Sequence, residues 1–246
     1  MEQLPLRCRQ ENLLELHEGE IGPLPAPRPE DEEPVERLQR FVLGGSFMSM
    51  PVKRDACRVC NVDVIFVVHT FQPQLPDLTK FLFGIIEYFN REKNTRAHMG
   101  VVSVRETPVT VSSLSTSAIE VIKNLLSFQE TASPGDQVSF SEAFKSAASL
   151  ISEGIRRKAV VFITEEDITS PTEMENVRRE VQIMRGNGFN IFPVGVGSGL
   201  KESILTEIAG DLKNVITAES YSALDNVQTK LTNLICGYTV EIPDSP

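Results

Sequence analysis

Val64-Ile65-Phe66-Val67-Val68 is an unbroken run of β-branched and aromatic residues. Such residues suit a pleated strand. A run with no polar alternation marks a strand covered on both faces. The same character returns at 159–164 (AVVFIT) and 189–196 (FNIFPVGV). Between these runs the apolar residues change period. Leu78, Phe81, Leu82, Ile85, Ile86 and Phe89 keep helical spacing and predict a helix over 78–91. Helices are also expected over 118–128, 140–151 and 174–185, the last stopped by Gly186-Asn187-Gly188. A second strand is expected at 99–104. Residues 108–114 alternate Val109 and Val111 with threonine and serine, as a half-exposed strand does. A short helix at 202–209, a short strand at 214–217 and a final helix at 223–234 complete the pattern.

Strands alternating with helices of about three turns imply parallel strands joined by right-handed crossovers. The short link Glu106-Thr107-Pro108 implies one hairpin. The expected fold class is α/β, a Rossmann-like doubly wound sheet. It is mostly parallel with one antiparallel edge strand, and has helices on both faces. In such sheets ligands sit beyond the carboxyl ends of the strands. That directs attention to 69–74, 164–170 and 196–201.

Composition narrows the function. The chain has 246 residues, 41% of them hydrophobic, with 13 Phe and no Trp. Its formal net charge of −10 repels phosphate backbones. The one compact basic run, Arg156-Arg157-Lys158, reads as a solvated helix end. No nucleic-acid partner is expected. No apolar run reaches the ~20 residues of a membrane span, and the first residues lack the apolar stretch of a signal peptide. Residues 1–58 carry a proline-dense segment, Gly22–Pro29, and then Glu30-Asp31-Glu32-Glu33. This reads as a largely irregular acidic linker. The domain is expected at 59–238, with a tail at 239–246. No Gly-X-Y repeat is present. The linker-like start favours a fragment of a longer chain.

Chemistry-bearing patterns are sparse. Cys57-Arg58-Val59-Cys60 is a CxxC, but His17, His69 and His98 are scattered and no second pair exists, which disfavours zinc. The pair precedes a strand rather than opening a helix, which disfavours a thioredoxin-type site. Gly195, Gly197 and Gly199 read as turn glycines, not a phosphate loop. Ser112, Ser113 and Ser115 lack a nucleophile context. The turn after the first strand, His69-Thr70-Phe71-Gln72-Pro73, contains no glycine and so no dinucleotide fingerprint. No nucleophile, base and orienting group come together, so no enzyme and no cofactor are expected.

Four motifs occur in register. Asp63–Val68 resembles the first strand of von Willebrand factor A-type (VWA) domains. His98–Val104 with Thr107-Pro108 resembles their second strand and hairpin. Residues 159–164 and Phe192–Gly197 resemble two later strands. The resemblance runs over about 61–238, and implies a six-stranded dinucleotide-fold-like sheet. It also implies a disulfide between Cys60 and Cys236, as in secreted members. Cys8 and Cys57 are then left to pair with each other or with another chain, and Cys57 could replace Cys60. Asn61-Val62-Asp63 and Ile235-Cys236-Gly237 are most similar to the VWA domains of collagen VI α chains.

The family's metal-ion-dependent adhesion site holds Mg²⁺ on a DxSxS turn, a threonine and an aspartate, and leaves one position for a partner's carboxylate. Here His69 replaces the first aspartate. Phe71 and Pro73 replace the serines. Val138 stands at the threonine position, next to Ser139, and Glu165 at the last aspartate, followed by Glu166-Asp167. One oxygen ligand in five positions cannot hold Mg²⁺ against its hydration, and imidazole suits a hard cation poorly. A degenerate site without bound metal is therefore expected. A different metal site made of His69, Glu165, Glu166 and Asp167 is disfavoured against a solvated loop. The resemblance implies a secreted extracellular-matrix adhesion module. Its partners would be other matrix proteins, collagen chains or neighbouring VWA domains. An intracellular VWA scaffold or assembly factor is the alternative.

Overall fold

The structure is a computed structural model. It describes residues 60–91, 95–129, 135–152 and 154–237. The expected linker at 1–58, Cys8, Cys57 and the tail at 239–246 lie outside the described residues.

Six strands form one sheet: β1 (Cys60–Val68), β2 (Thr95–Ser103), β3 (Val109–Ser115), β4 (Arg157–Thr164), β5 (Phe189–Val196) and β6 (Ile216–Ala218). Their order is β3-β2-β1-β4-β5-β6. β3 pairs antiparallel with β2, and every other pairing is parallel. The fold class expected from periodicity is the one observed. Among the described residues six α-helices flank the sheet: α1 (Leu75–Arg91), α2 (Ala118–Ser127), α3 (Phe140–Leu150), α4 (Pro171–Gly186), α5 (Glu202–Ala209) and α6 (Gln228–Cys236).

β1 is central and buried, and successive side chains point to opposite faces. Ile65 and Val67 meet Phe144, Phe162 and Val177 under α3 and α4. Val64, Phe66 and Val68 point to the other face, where α6 packs on β1 and α1 on β2. Ser117, Ser139 and Ser170 cap α2, α3 and α4, each accepting from the N–H of a glutamate three residues on. That is half of a capping box, with Ser-x-x-Glu at each of these three starts.

Boundaries differ from expectation where pairing overrides local pattern. β2 starts at Thr95, four residues early, because all nine residues of β1 pair along it from Cys60↔Thr95. The final helix splits into a 3-10 segment, Tyr221–Val227, followed by α6. Tyr221 and Leu224, the buried pair, are three residues apart, which is the 3-10 repeat. The basic run is no helix end. Arg156 lies in the turn before β4 and Arg157 opens that strand. Arg156 donates to Asp63, so it is an ion-pair partner rather than a solvated cation.

Candidate functional site at the carboxyl end of the sheet

β1 ends at Val68, and the chain turns at His69. Hydrogen bonds to the His69 backbone hold this turn on both sides. The His69 N–H donates to Ile163 O at 2.8 Å, and the Tyr221 hydroxyl donates to His69 O at 3.1 Å. The imidazole is 1% exposed. It meets the Phe71 ring edge-on at 5.3 Å and the Phe140 ring at 5.0 Å, a favoured aromatic geometry. His69 Nδ1 lies 3.2 Å from Thr164 Oγ1. That hydroxyl donates its single proton to Glu166 O at 3.0 Å and accepts from the Glu166 N–H at 3.1 Å. This assignment makes Nδ1 the donor to Thr164.

The other positions each have their own surroundings. Phe71 is buried, and Pro73 is exposed in the 3-10 turn Gln72–Gln74. Val138 packs against the core beneath α3. Ser139 Oγ accepts from the Glu142 N–H at 3.3 Å, and the Ser139 N–H donates to Arg105 O at 2.9 Å. The Glu173 carboxylate accepts from the Ser141 N–H at 2.8 Å and lies 3.4 Å from Ser139 Oγ. An anion of the chain itself thus occupies the start of α3, where the helix dipole favours negative charge. Asp167 Oδ1 accepts from the Lys201 N–H at 2.9 Å and anchors the entry to α5. Among the described residues no three His, Cys, Asp or Glu side chains are grouped to hold a metal ion. Gly197 has φ +92° and its N–H donates to Ala218 O at 2.8 Å, so it is a turn residue that extends the β5–β6 pairing.

Glu165 is the remaining acid. It is half-buried, and its Oε1 has no hydrogen-bond partner among the described residues. Burial first, and Glu166 second, raise its pKa above the ordinary glutamate range. An acid whose folded pKa is raised binds more protons folded than unfolded, so stability falls as pH rises through that range. Glu165→Gln is therefore expected to melt higher than the parent at neutral pH. The difference should vanish in acid well below the carboxylate range. Thermal scans at the two pH values check this, and a Gln variant that melts lower at neutral pH refutes it. Burial also raises the Tyr221 pKa, with Thr70 opposing and Glu165 and Glu166 adding. Its hydroxyl stays protonated and remains a donor to His69.

Tyr221 and Glu173 carry much of this arrangement, and neither stands out in the sequence. Tyr221 lies 152 residues from His69, and Glu173 lies 32 from Ser141. The Ser170-x-x-Glu173 pattern signals a cap for α4. Nothing local shows that the carboxylate of Glu173, the residue whose N–H meets that cap, serves α3.

Sequence comparison matches residues 63–230 to the von Willebrand factor type A domain. No curated protein matches by sequence. Among solved structures, proximal thread matrix protein 1 from the mussel byssus is 18% identical over 73% of this chain and 48% of its own, with TM-score 0.60. The chain spans about half the length of that protein. The vWF domain of the pili tip protein Mfa5 from Porphyromonas gingivalis is 11% identical over 77% of this chain and 100% of its own, with TM-score 0.57. BatB from Bacteroides thetaiotaomicron is 14% identical over 70% of this chain and 98% of its own, with TM-score 0.55. At these identities the likeness is one of fold. With the family match covering more than half of the chain, and with the strand order and hairpin described above, the chain belongs to the von Willebrand factor type A domain family.

Proposed function

We propose that this domain is a non-enzymatic adhesion module of the extracellular matrix, similar to those of collagen VI, that binds protein partners without a divalent cation. One observation carries the reading. The position of the family's first aspartate holds an imidazole wedged between Phe71 and Phe140 and hydrogen-bonded to Thr164. The donor set does not fit Mg²⁺, which takes oxygen ligands in near-octahedral array. Phe71, Pro73 and Val138 offer no side-chain oxygen. Ser139 is held at the cap of α3, Glu173 faces the start of that helix, and Asp167 anchors α5. A mussel byssus protein of the same fold has been solved with a zinc-occupied MIDAS motif.

The Cys60–Cys236 bridge supports a secreted location, because disulfides persist in oxidising compartments. Partners would be other matrix proteins, collagen chains or neighbouring VWA domains, engaged through surfaces away from this end of the sheet. Calorimetric titration with Mg²⁺ and Mn²⁺ is expected to give no heat of specific binding. Capture of a matrix partner is expected to survive EDTA unchanged. Sub-millimolar cation binding, or adhesion abolished by the chelator, would overturn the proposal.

A further inference from the structure

The turn between α4 and β5 carries a chemistry that the adhesion reading does not use. Asn187-Gly188 is the only Asn-Gly pair in the sequence. Asparagine followed by glycine can cyclise, because no side chain hinders attack of the next backbone nitrogen on the amide carbon. Five other asparagines precede Val or Ile, whose branched side chains shield that nitrogen: Asn61, Asn176, Asn190, Asn214 and Asn226. Gly186, Asn187 and Gly188 are all exposed, and nothing lies within 4 Å of where a Cβ on either glycine would stand. Lys158 Nζ donates to Asn187 O at 3.4 Å. A cation on that oxygen stabilises the deprotonated form of the Gly188 nitrogen, which is the attacking species.

The fold also restrains the step. The Gly188 N–H donates to Arg185 O at 3.0 Å, and Asn187 sits at φ −91°, ψ 12° as the cap of α4. Ring closure needs the Gly188 nitrogen eclipsed with Asn187 Cβ, so the last turn of the helix must open first. Helix ends fray at low free-energy cost. We propose that Asn187 is a site of spontaneous deamidation in the folded protein. The Gly188 nitrogen bonds to Asn187 Cγ, the Cγ–Nδ2 bond breaks, and ammonia leaves with the peptide proton. Water then opens the succinimide at either carbonyl, giving aspartate or isoaspartate.

Both products change the structure. Each puts a carboxylate at the negative end of a helix, which the dipole disfavours. Isoaspartate also lengthens the main chain just before Phe189, which pairs with Lys158 at the start of β5. The aspartate product spells Arg-Gly-Asp. Arg185, however, donates to Val181 O at 3.4 Å and Glu207 O at 3.2 Å, so the folded chain does not offer that tripeptide as an open loop.

The test is to age the full chain in mildly alkaline buffer at body temperature and map its peptides by mass spectrometry, resolving aspartate from isoaspartate. Conversion is expected at Asn187 at least an order of magnitude faster than at any other asparagine, and faster at higher pH. Asn187→Gln should remove the signal, and Lys158→Met should slow it. Aged protein should melt lower than fresh. Conversion spread evenly over the asparagines would overturn the proposal. So would an intact Asn187 in the folded chain while a peptide of the same local sequence converts.

Discussion

Replacing both Cys60 and Cys236 with alanine, or reducing their bridge, is expected to cost the domain about 5 kcal/mol in chain-entropy terms. The two cysteines are 176 residues apart, so the bridge closes almost the whole domain into one loop. The cost of leaving that loop open falls on the unfolded chain, which gains freedom when it is cut. At roughly 2–4 °C per kcal/mol for a domain of this size, the midpoint should drop by roughly 10–20 °C. The native side needs no rearrangement, since the Cα atoms stand 5.1 Å apart, within the usual range. Alanine is the better replacement than serine. Cys60 is fully buried and Cys236 nearly so, and serine would leave hydroxyls in apolar surroundings. A mechanical consequence follows as well. Force applied to the flanking chain passes through the sulfurs and bypasses the fold. Pulled from outside the bridge, the oxidised protein should lack an extension of roughly 600 Å, about 3.4 Å for each of the 176 residues. That step should appear only after reduction. An oxidised chain that lengthens by this amount, or peptide mapping that finds Cys60 paired elsewhere, refutes the pairing.

The fold was legible because its information is local and repeated. Val64–Val68 announces a strand covered on both faces, and the helical spacing from Leu78 to Phe89 announces α1. Ser117, Ser139 and Ser170 each stand at a helix start with a Ser-x-x-Glu pattern. What resisted reading is what depends on partners distant in sequence. Thr95 through His98 show little strand character, yet they become β2 because β1 offers a full ladder. Arg156 resembles a surface cation until Asp63, 93 residues away, is placed beside it.

The site was legible in a different sense. Sequence shows which side chains cannot supply oxygen, since Phe71, Pro73 and Val138 declare this by composition. It does not show what fills the space instead. Phe71 stands in the same turn as His69, but Phe140 and Tyr221 come from distant elements, and only the fold brings them to it. The same holds for Glu173, whose double use at two helix starts follows from the packing of α3 against α4.

Asp63→Ala is expected to cost about 3 kcal/mol, near the low end of what removing one partner of a buried ion pair costs. That is a drop in melting midpoint of roughly 6–12 °C. Asp63 is 6% exposed near the start of β1, at the end of the sheet opposite His69. Its Oδ1 accepts from Arg156 Nε and lies 2.9 Å from His98 Nδ1. The Arg156 guanidinium also donates to Asn61 Oδ1, to Arg96 O and, at 2.9 Å, to Val62 O. It thus joins β1 and β2 at this end of the sheet. Without the Asp63 carboxylate, a mostly buried cation would keep only neutral acceptors. Asp63→Asn keeps an acceptor and should cost less. Arg156→Lys should fail to rescue, because one ammonium cannot reach four acceptors as a planar fork does. Added salt should change little, since the pair is shielded from solvent. Urea unfolding of the single variants and of the Asp63→Ala/Arg156→Met double decides the matter. The double should be less destabilised than the sum of its singles, because each single strands the other group. An Asp63→Ala loss below roughly 1 kcal/mol, in the range of exposed pairs, would mean that water already solvates Arg156 and that the clamp does not hold this edge of the sheet.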